Sequence, residues 1–274
     1  MTRLKWIALI ALPAALPAIS PGREGSRVED QQTIRRTFDV SRAAGPQKLT
    51  VDNFSGYIHV TGYDGREIRM TALRTNQAES NATLAEAKRE VTLDATQDDN
   101  TVRLYVDGPF RHNSHGDRPY EVIFDFDLEV PRGTELALKG FNHGTIEVKS
   151  TDGDFDIHGF NGGVDLEQIA GSGTVHTFNG PVKVAFRRNP ERRSEFKTFN
   201  GSVDVYFPSG LNANLQLKTF HGGIYSDESL GPLTIPASSG WNRGGTRSVR
   251  AGNGGPVLLF DTFNGAIRLH SKTL

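Results

Sequence analysis

The sequence predicts an all-β protein, a β-solenoid or β-helix-like stack of two-strand units of about 20 residues each. Three observations predict it: a recurring Phe-Asn-Gly turn, period-two alternation of apolar and polar residues, and 30 glycines in a chain with few helix-forming runs.

The turn recurs as Phe160-Asn161-Gly162, Phe178-Asn179-Gly180, Phe199-Asn200-Gly201, Phe220-His221-Gly222 and Phe263-Asn264-Gly265. Successive Phe positions lie 18, 21, 21 and 43 residues apart, the last about twice the unit. Phe141-Asn142-His143-Gly144 fits with one inserted residue, and Phe54-Ser55-Gly56 is a degenerate copy. Thr177, Thr198, Thr219 and Thr262 precede the Phe, where earlier copies have Gly140 and Gly159. After each glycine comes one residue and then an aliphatic: Val164, Val182, Val203, Ile224 or Ile267. Asn and Gly readily accept positive φ, so each copy marks a sharp turn between two short strands.

A unit of this size buries too little alone, so the units must stack. In a solenoid, equivalent strands pair in parallel and equivalent Asn side chains form a ladder. In the alternative, an antiparallel meander or sandwich, each Asn-Gly is a type I′ hairpin turn. Near-constant unit length and repeated residue identity favour the solenoid.

From the N-terminus, Arg3 and Lys5 precede an apolar stretch from Trp6 to Ala18 and then small residues, so 1–20 reads as an export signal. That stretch is short for a membrane-spanning helix, which needs about 20 apolar residues. An uncleaved interfacial anchor is its alternative reading, and Pro21 leaves the cleavage point open. Residues 21–33 are polar and aperiodic and read as a linker. The β-repeat domain then spans 34–274. Alternation is clear at Leu49/Val51, Ile58/Val60, Ile68/Met70 and Val102/Leu104/Val106, and from Val122 to Val130, ending at Pro131. Residues 80–90 interrupt it with a short helix pattern in which Thr83 and Glu86 have capping-box spacing.

Composition excludes several chemistries. With 31 basic against 32 acidic side chains, the chain lacks the cationic surplus of a nucleic-acid binder. With no cysteine, it has neither disulfides nor a cysteine-linked lipid. The expected location is outside the cytoplasm, in the periplasm, in the cell envelope or secreted, with no transmembrane span in the mature chain.

Glu129-Val130-Pro131, Leu136, the repeated Phe-Asn-Gly-x-Val units and Val205-Tyr206-Phe207-Pro208 together resemble the bacterial DUF4097 family of putative adhesins. The likeness covers roughly Leu49 to Leu274 and is densest from Tyr120 to Asp227. More distantly the chain is similar to the head domain of autotransporter adhesins. The resemblance implies a β-solenoid-like fold, an envelope location and no enzymatic activity. It brings no catalytic motif that transfers residue by residue.

The candidate sites are weak. Asp152, Asp154 and Asp156 alternate like a calcium loop, but Ile157 and Gly163 stand where an EF-hand needs Gly and Glu, so they read as an acidic turn. Asp125, Asp127 and Glu129 read as one solvated strand face. His112, His115 and Asp117 share a loop without metal-site geometry. His143, His158, His176 and His221 recur near the turns at different repeat positions and read as surface. Arg187, Arg188, Arg192 and Arg193 form a basic loop able to touch an acidic glycan or lipid headgroup, but overall neutrality favours reading them as a solvated turn between repeats.

No G-x-S-x-G elbow appears, and no Gly-His-Gly with an adjacent Asp pair marks a pectin-degrading β-helix, Asp98-Asp99 being the one such pair. The expectation is a non-catalytic envelope protein with no cofactor and no metal, binding a glycan or protein ligand. Its alternatives are a polysaccharide-degrading β-helix enzyme and a structural or sensory envelope-stress module. His176, Lys197 and Lys218, two residues before the Phe, are the candidate binding face. Asn161, Gly162, Asn179, Gly180, Asn200, Gly201, His221, Gly222, Asn264 and Gly265 are the structural turns.

Overall fold

The computed structural model describes residues 27–40, 45–111, 118–230, 233–234 and 245–272. The chain runs through β1 (Val28–Asp39), β2 (Lys48–Ser55), β3 (Ile58–Tyr63) and β4 (Glu67–Ala78), then helix α1 (Asn81–Glu90). It continues in β5 (Thr92–Asp98), β6 (Thr101–Asp107), β7 (Tyr120–Pro131), β8 (Glu135–Asn142) and β9 (Ile146–Lys149). The repeats follow as β10 (Phe155–Asn161), β11 (Val164–Ile169), β12 (Gly173–Asn179), β13 (Val182–Phe186), β14 (Ser194–Asn200) and β15 (Val203–Pro208). The end comprises β16 (Ala213–His221), β17 (Ile224–Ser226), β18 (Leu233–Thr234), β19 (Arg247–Ala251), β20 (Val257–Asn264) and β21 (Ile267–Lys272).

These strands form two sheets. The first runs β1-β4-β7-β3-β9-β11-β13-β15-β21-β17 and the second β18-β19-β16-β20-β14-β12-β10-β8-β2-β6-β5. Each Phe-Asn-Gly corner carries the chain from the second sheet into the first, so it is no hairpin. Like strands pair in parallel and in register: Ile157 faces Val175, and Val164 faces Val182. This is the solenoid. The antiparallel pairing weighed as its alternative occurs at the two ends, in β1-β4-β7, β5-β6 and β16-β19-β18.

The alternation read from the sequence puts one side of every coil inside. Leu138, Ile157, Val175, Phe196 and Phe260 of the second sheet meet Val148, Leu166, Val184, Val205 and Leu269 of the first, all buried. Within that core Phe196 stacks on Phe260 at 5.5 Å and Phe186 on Phe207 at 5.5 Å. Like residues repeat in stacked coils, so like contacts repeat along the stack.

Chain order and spatial order differ. Along the stack the coils are β6–β7, β2–β3, β8–β9, β10–β11, β12–β13, β14–β15, β20–β21 and β16–β17. The first coil of the sequence lies second in space, and the last lies second from the other end. The 43-residue gap before Phe263 is therefore not a doubled unit. It is the path of a chain that adds β18 and β19 beside β16 and then threads β20 and β21 back between older coils.

Two further expectations change. Residues 28–33, assigned to the linker, form half of β1, with Val28 to Thr33 facing Ala78 to Leu73 of β4. An exposed edge strand needs no apolar face, so no alternation marks it. Helix α1 forms, but its N-cap is Ser80, whose side chain accepts the Thr83 N–H at 3.2 Å. No helix among the described residues is long and apolar enough to cross a membrane.

The corner glycines are there for space more than for φ. A Cβ on Gly162 would lie 2.0 Å from the Gly144 carbonyl oxygen, on Gly180 2.3 Å from that of Gly162, on Gly201 2.2 Å from that of Gly180, and on Gly265 1.8 Å from that of Gly201. Asn161, Asn179, Asn200 and Asn264 keep negative φ, unlike the positive φ expected of them. The inserted His143 takes the left-handed conformation, at φ 48°, which returns Gly144 to the stack.

Gly180→Ala is therefore expected to lower unfolding stability by about 3 kcal/mol, through overlap with a neighbouring backbone that cannot yield. Gly133→Ala, where a Cβ meets nothing within 4 Å, is expected to change it by less than about 1 kcal/mol. Urea denaturation of the two variants checks the contrast.

Candidate functional site

Each letter of the corner motif makes one interaction with the next coil. The threonine hydroxyl donates to a corner glycine carbonyl: Thr177 to Gly162 at 3.0 Å, Thr198 to Gly180 at 2.8 Å, Thr262 to Gly201 at 2.9 Å and Thr219 to Gly265 at 2.9 Å. The asparagine amides form a ladder, in which Nδ2 of Asn161, Asn179, Asn200 and Asn264 donates to Oδ1 of Asn142, Asn161, Asn179 and Asn200 at 2.8–3.1 Å. His221 continues it, placing Nδ1 3.2 Å from Asn264 Oδ1.

The phenylalanines form a second ladder outside the core. Phe110, Phe54, Phe141, Phe160, Phe178, Phe199, Phe263 and Phe220 stack in that order, with centroids 4.0–5.2 Å apart and planes within 17°. Six of them, from Phe141 to Phe220, are 39–43% exposed. Neighbouring rings cover their faces, so what reaches solvent is a ridge of ring edges. Phe110 escapes the sequence pattern because it sits on a 3-10 turn (Pro109–Arg111) with no Asn-Gly after it.

Two residues before the ladder, on the outer face of the second sheet, runs the column containing the predicted binding residues. In register it reads Asp52, Lys139, His158, His176, Lys197, Asp261, Lys218. His176 and Lys197 are neighbours. Lys218 is separated from Lys197 by Asp261, because β20 threads between β14 and β16. His158 and His176 do occupy the same repeat position, contrary to the sequence reading, and their rings meet edge to face at 5.4 Å. Counting back two residues from each Phe would have found both, and Lys139 with them.

A neighbouring column holds this one in place. His158 Nε2 lies 3.0 Å from Asp156 Oδ1, and His176 Nε2 lies 2.9 Å from Glu195 Oε1. Glu195 also pairs with Lys197, and Asp156 accepts the Thr174 hydroxyl at 2.5 Å. Burial pushes upward on the Glu195 carboxyl, but Lys197 and His176 outweigh it and hold it below the ordinary glutamate range. Burial likewise opposes ionisation of Asp156, and Thr174, His158 and His176 more than offset it. Lys139 makes no ion pair with the described residues. Between the column and the ridge lies an open groove of about 440 Å³, lined by Lys139, His158, His176, Phe141, Phe160 and Phe178, with Asp52 and Arg111 paired at 2.7 Å at one end.

The other candidates resolve into structural pairs. Asp152 binds Arg187 and Asp154 binds Arg192, so the acidic turn and the basic loop neutralise each other. Arg193 lies 3.4 Å from Glu195, and Arg188 lies 3.9 Å from Glu191. Among Asp125, Asp127 and Glu129, the last two pair with His59 and Arg69, whereas burial raises the Asp125 carboxyl as it accepts the Tyr57 N–H at 3.1 Å. His112, His115 and Asp117 lie outside the described residues, among which no three His, Asp or Glu gather as a metal-holding group.

No family model matches the chain, and no curated protein matches it. Solved structures do resemble it. A putative cell adhesion protein from Clostridium sporogenes is 12% identical, with 90% of this chain and 100% of that one covered and a TM-score of 0.43. A putative adhesin from Bacteroides fragilis is 13% identical, over 88% and 97%, at 0.43. A putative lipid binding protein from Parabacteroides distasonis is 10% identical, over 89% and 97%, at 0.27. The resemblance to DUF4097 rests on its motifs alone.

The aromatic ladder predicts a graded stability effect. Phe178 stacks on two rings and Phe220 on one phenyl ring, and each stacked pair contributes about 1 kcal/mol. Phe178→Ala is expected to destabilise by about 1 kcal/mol more than Phe220→Ala, as read by thermal unfolding.

Proposed function

We propose that the chain is a non-catalytic, adhesion-like binding protein of the bacterial cell envelope, of the kind the DUF4097 motifs imply. In this reading it is exported by its first twenty residues, and its ligand contacts the outer face of the second sheet. The observation that carries the reading is the in-register column Lys139, His158, His176 and Lys197 beside an exposed aromatic ridge. A rigid, regularly spaced row of cations and ring edges suits an extended partner.

The polysaccharide-degrading alternative is disfavoured by protonation. Glycoside hydrolysis needs a carboxyl held protonated near neutrality beside an ionised one. On this face both Asp156 and Glu195 are held ionised by their partners. Asp125, the carboxyl that burial raises, lies in the first sheet and is committed to the Tyr57 backbone.

A glycan array at neutral pH, followed by product analysis of every retained polysaccharide, tests the reading. Retention without new reducing ends is expected. Reducing-end release that disappears in Glu195→Gln would establish the enzyme instead. Silence in the array and in pull-down with envelope proteins would favour the structural or sensory module.

A further inference from the structure

Resting on that binding reading, we propose that the groove between the cationic column and the phenylalanine ridge binds acidic polysaccharide of the polyuronate class. Two carboxylates on one edge of the sugar chain sit on the pairs Lys139–His158 and His176–Lys197.

The first argument is spacing. The four basic positions succeed one another by one interstrand step, about 4.8 Å, across β8, β10, β12 and β14. In a ribbon-like sugar chain, alternate units turn their carboxylates to the same edge, so like groups recur at about two such steps, roughly 10 Å. One carboxylate bridges each adjacent pair of cations. An extended acidic peptide fits poorly, because side chains on one face recur every 6.6–6.8 Å or so and fall out of step with the strands.

The second argument is termination. Asp52 stands in register before Lys139, and Asp261 stands in register after Lys197. An ion pair thus flanks the row at each end, Asp52 with Arg111 and Asp261 with Lys218, which limits the uninterrupted row to about four strand steps. A non-specific polycation surface would not be bounded in this way.

The third is hydrogen-bonding capacity. Lys139 is exposed and makes no ion pair with the described residues. His158 and His176 each engage a carboxylate through Nε2, which leaves Nδ1 without a partner among the described residues. A neutral ring offers Nδ1 as an acceptor; a protonated ring offers it as a donor to an anion. The exposed edges of Phe141, Phe160 and Phe178 carry the positive rim of the ring quadrupole and complement oxygen-rich ligand atoms.

The charge balance makes the site sensitive to acid. The groups facing His158 are Asp156 on its own strand, Lys139, His176 and Thr174; those facing His176 are Glu195, Lys197, His158 and Asp156. With neutral histidines, Lys139 and Lys197 are matched by Asp156 and Glu195. An imidazole in its protonated form adds a positive charge to the row at either position. Uronate carboxylates stay ionised alongside it.

Calorimetric titration with a β-1,4-linked oligomannuronate series, which forms such a ribbon, and its methyl esters, near pH 5.5 and near pH 7.5, tests the site. Affinity is expected to rise with length to about four sugars and then level off, to vanish on esterification, and to increase about tenfold at the lower pH. His158→Gln/His176→Gln should remove the pH gain, and Lys139→Gln should weaken binding at both pH values. Lys183→Gln, on the opposite sheet, should change nothing, and exposure of all these side chains lets thermal unfolding confirm that each variant folds. Equal binding of the esters, or binding indifferent to the Lys139 and histidine substitutions, overturns the proposal. A neutral glycan or an envelope protein held by the same face overturns the polyuronate assignment and leaves the binding reading standing. Failure of every ligand in both assays removes both.

Discussion

The contact on which the rest depends is the approach of each corner glycine to the carbonyl of the corner glycine in the next coil. At that separation no side chain fits, and no slippage along the strand is tolerated, because a shifted register would bring a residue with a Cβ to the same point. Register fixed at the corner then fixes everything two or three residues away. The threonine hydroxyl finds its carbonyl, the asparagine amide finds its neighbour, and the phenyl rings fall into a stack. The core needs the same register to place Phe196 on Phe260 and Phe186 on Phe207. Hydrophobic burial drives the stack together, but it is the corner that makes one alignment better than all others.

A stack of parallel coils has two ends with unpaired backbone. Antiparallel strands close both sheets at one end and the second sheet at the other, where the short β17 is left as a parallel edge of the first; the long edge strand β1 is polar and charged, which discourages pairing with another chain. Arg74 fixes α1 to that end: buried against Phe124, it donates from Nε to Asn76 at 2.8 Å and from Nη2 to the Ala87 carbonyl in the last turn of the helix at 3.1 Å. Burial lowers its pKa, and the Asp30 carboxylate offsets part of that cost. The out-of-order threading adds to this. Both the first and the last coil of the sequence lie inside the stack, so β2, β3, β20 and β21 each pair with a strand on both sides.

How much of this the sequence disclosed depends on what repeats. The corner repeats, so the stack, the asparagine ladder and the strand alternation around Val164, Val182 and Val203 are legible from spacing alone. The order of the coils is not, because every corner carries nearly the same chemistry and can sit beside any other. That is why the gap before Phe263 reads as a doubled unit when it is a detour. The segment 28–33 hides for the opposite reason, since an edge strand pairs through backbone and shows no apolar signature. In the candidate site, His176 and Lys197 were visible from the repeat. His158 and Lys139 were missed because they were not counted from their own phenylalanines. Asp261 became part of the row only through the threading.

Because the chain has no cysteine, the threading can be tested by disulfide trapping with engineered pairs. Lys197→Cys with Asp261→Cys joins positions in register on neighbouring strands, within the Cα separation of about 4.4–6.8 Å that a disulfide spans. Lys197→Cys with Lys218→Cys joins positions two strands apart, beyond that reach. Oxidation is expected to close the first pair readily and to leave the second reduced. Closure of the second pair and not the first would mean that the coils stack in sequence order, and would contradict the architecture described above.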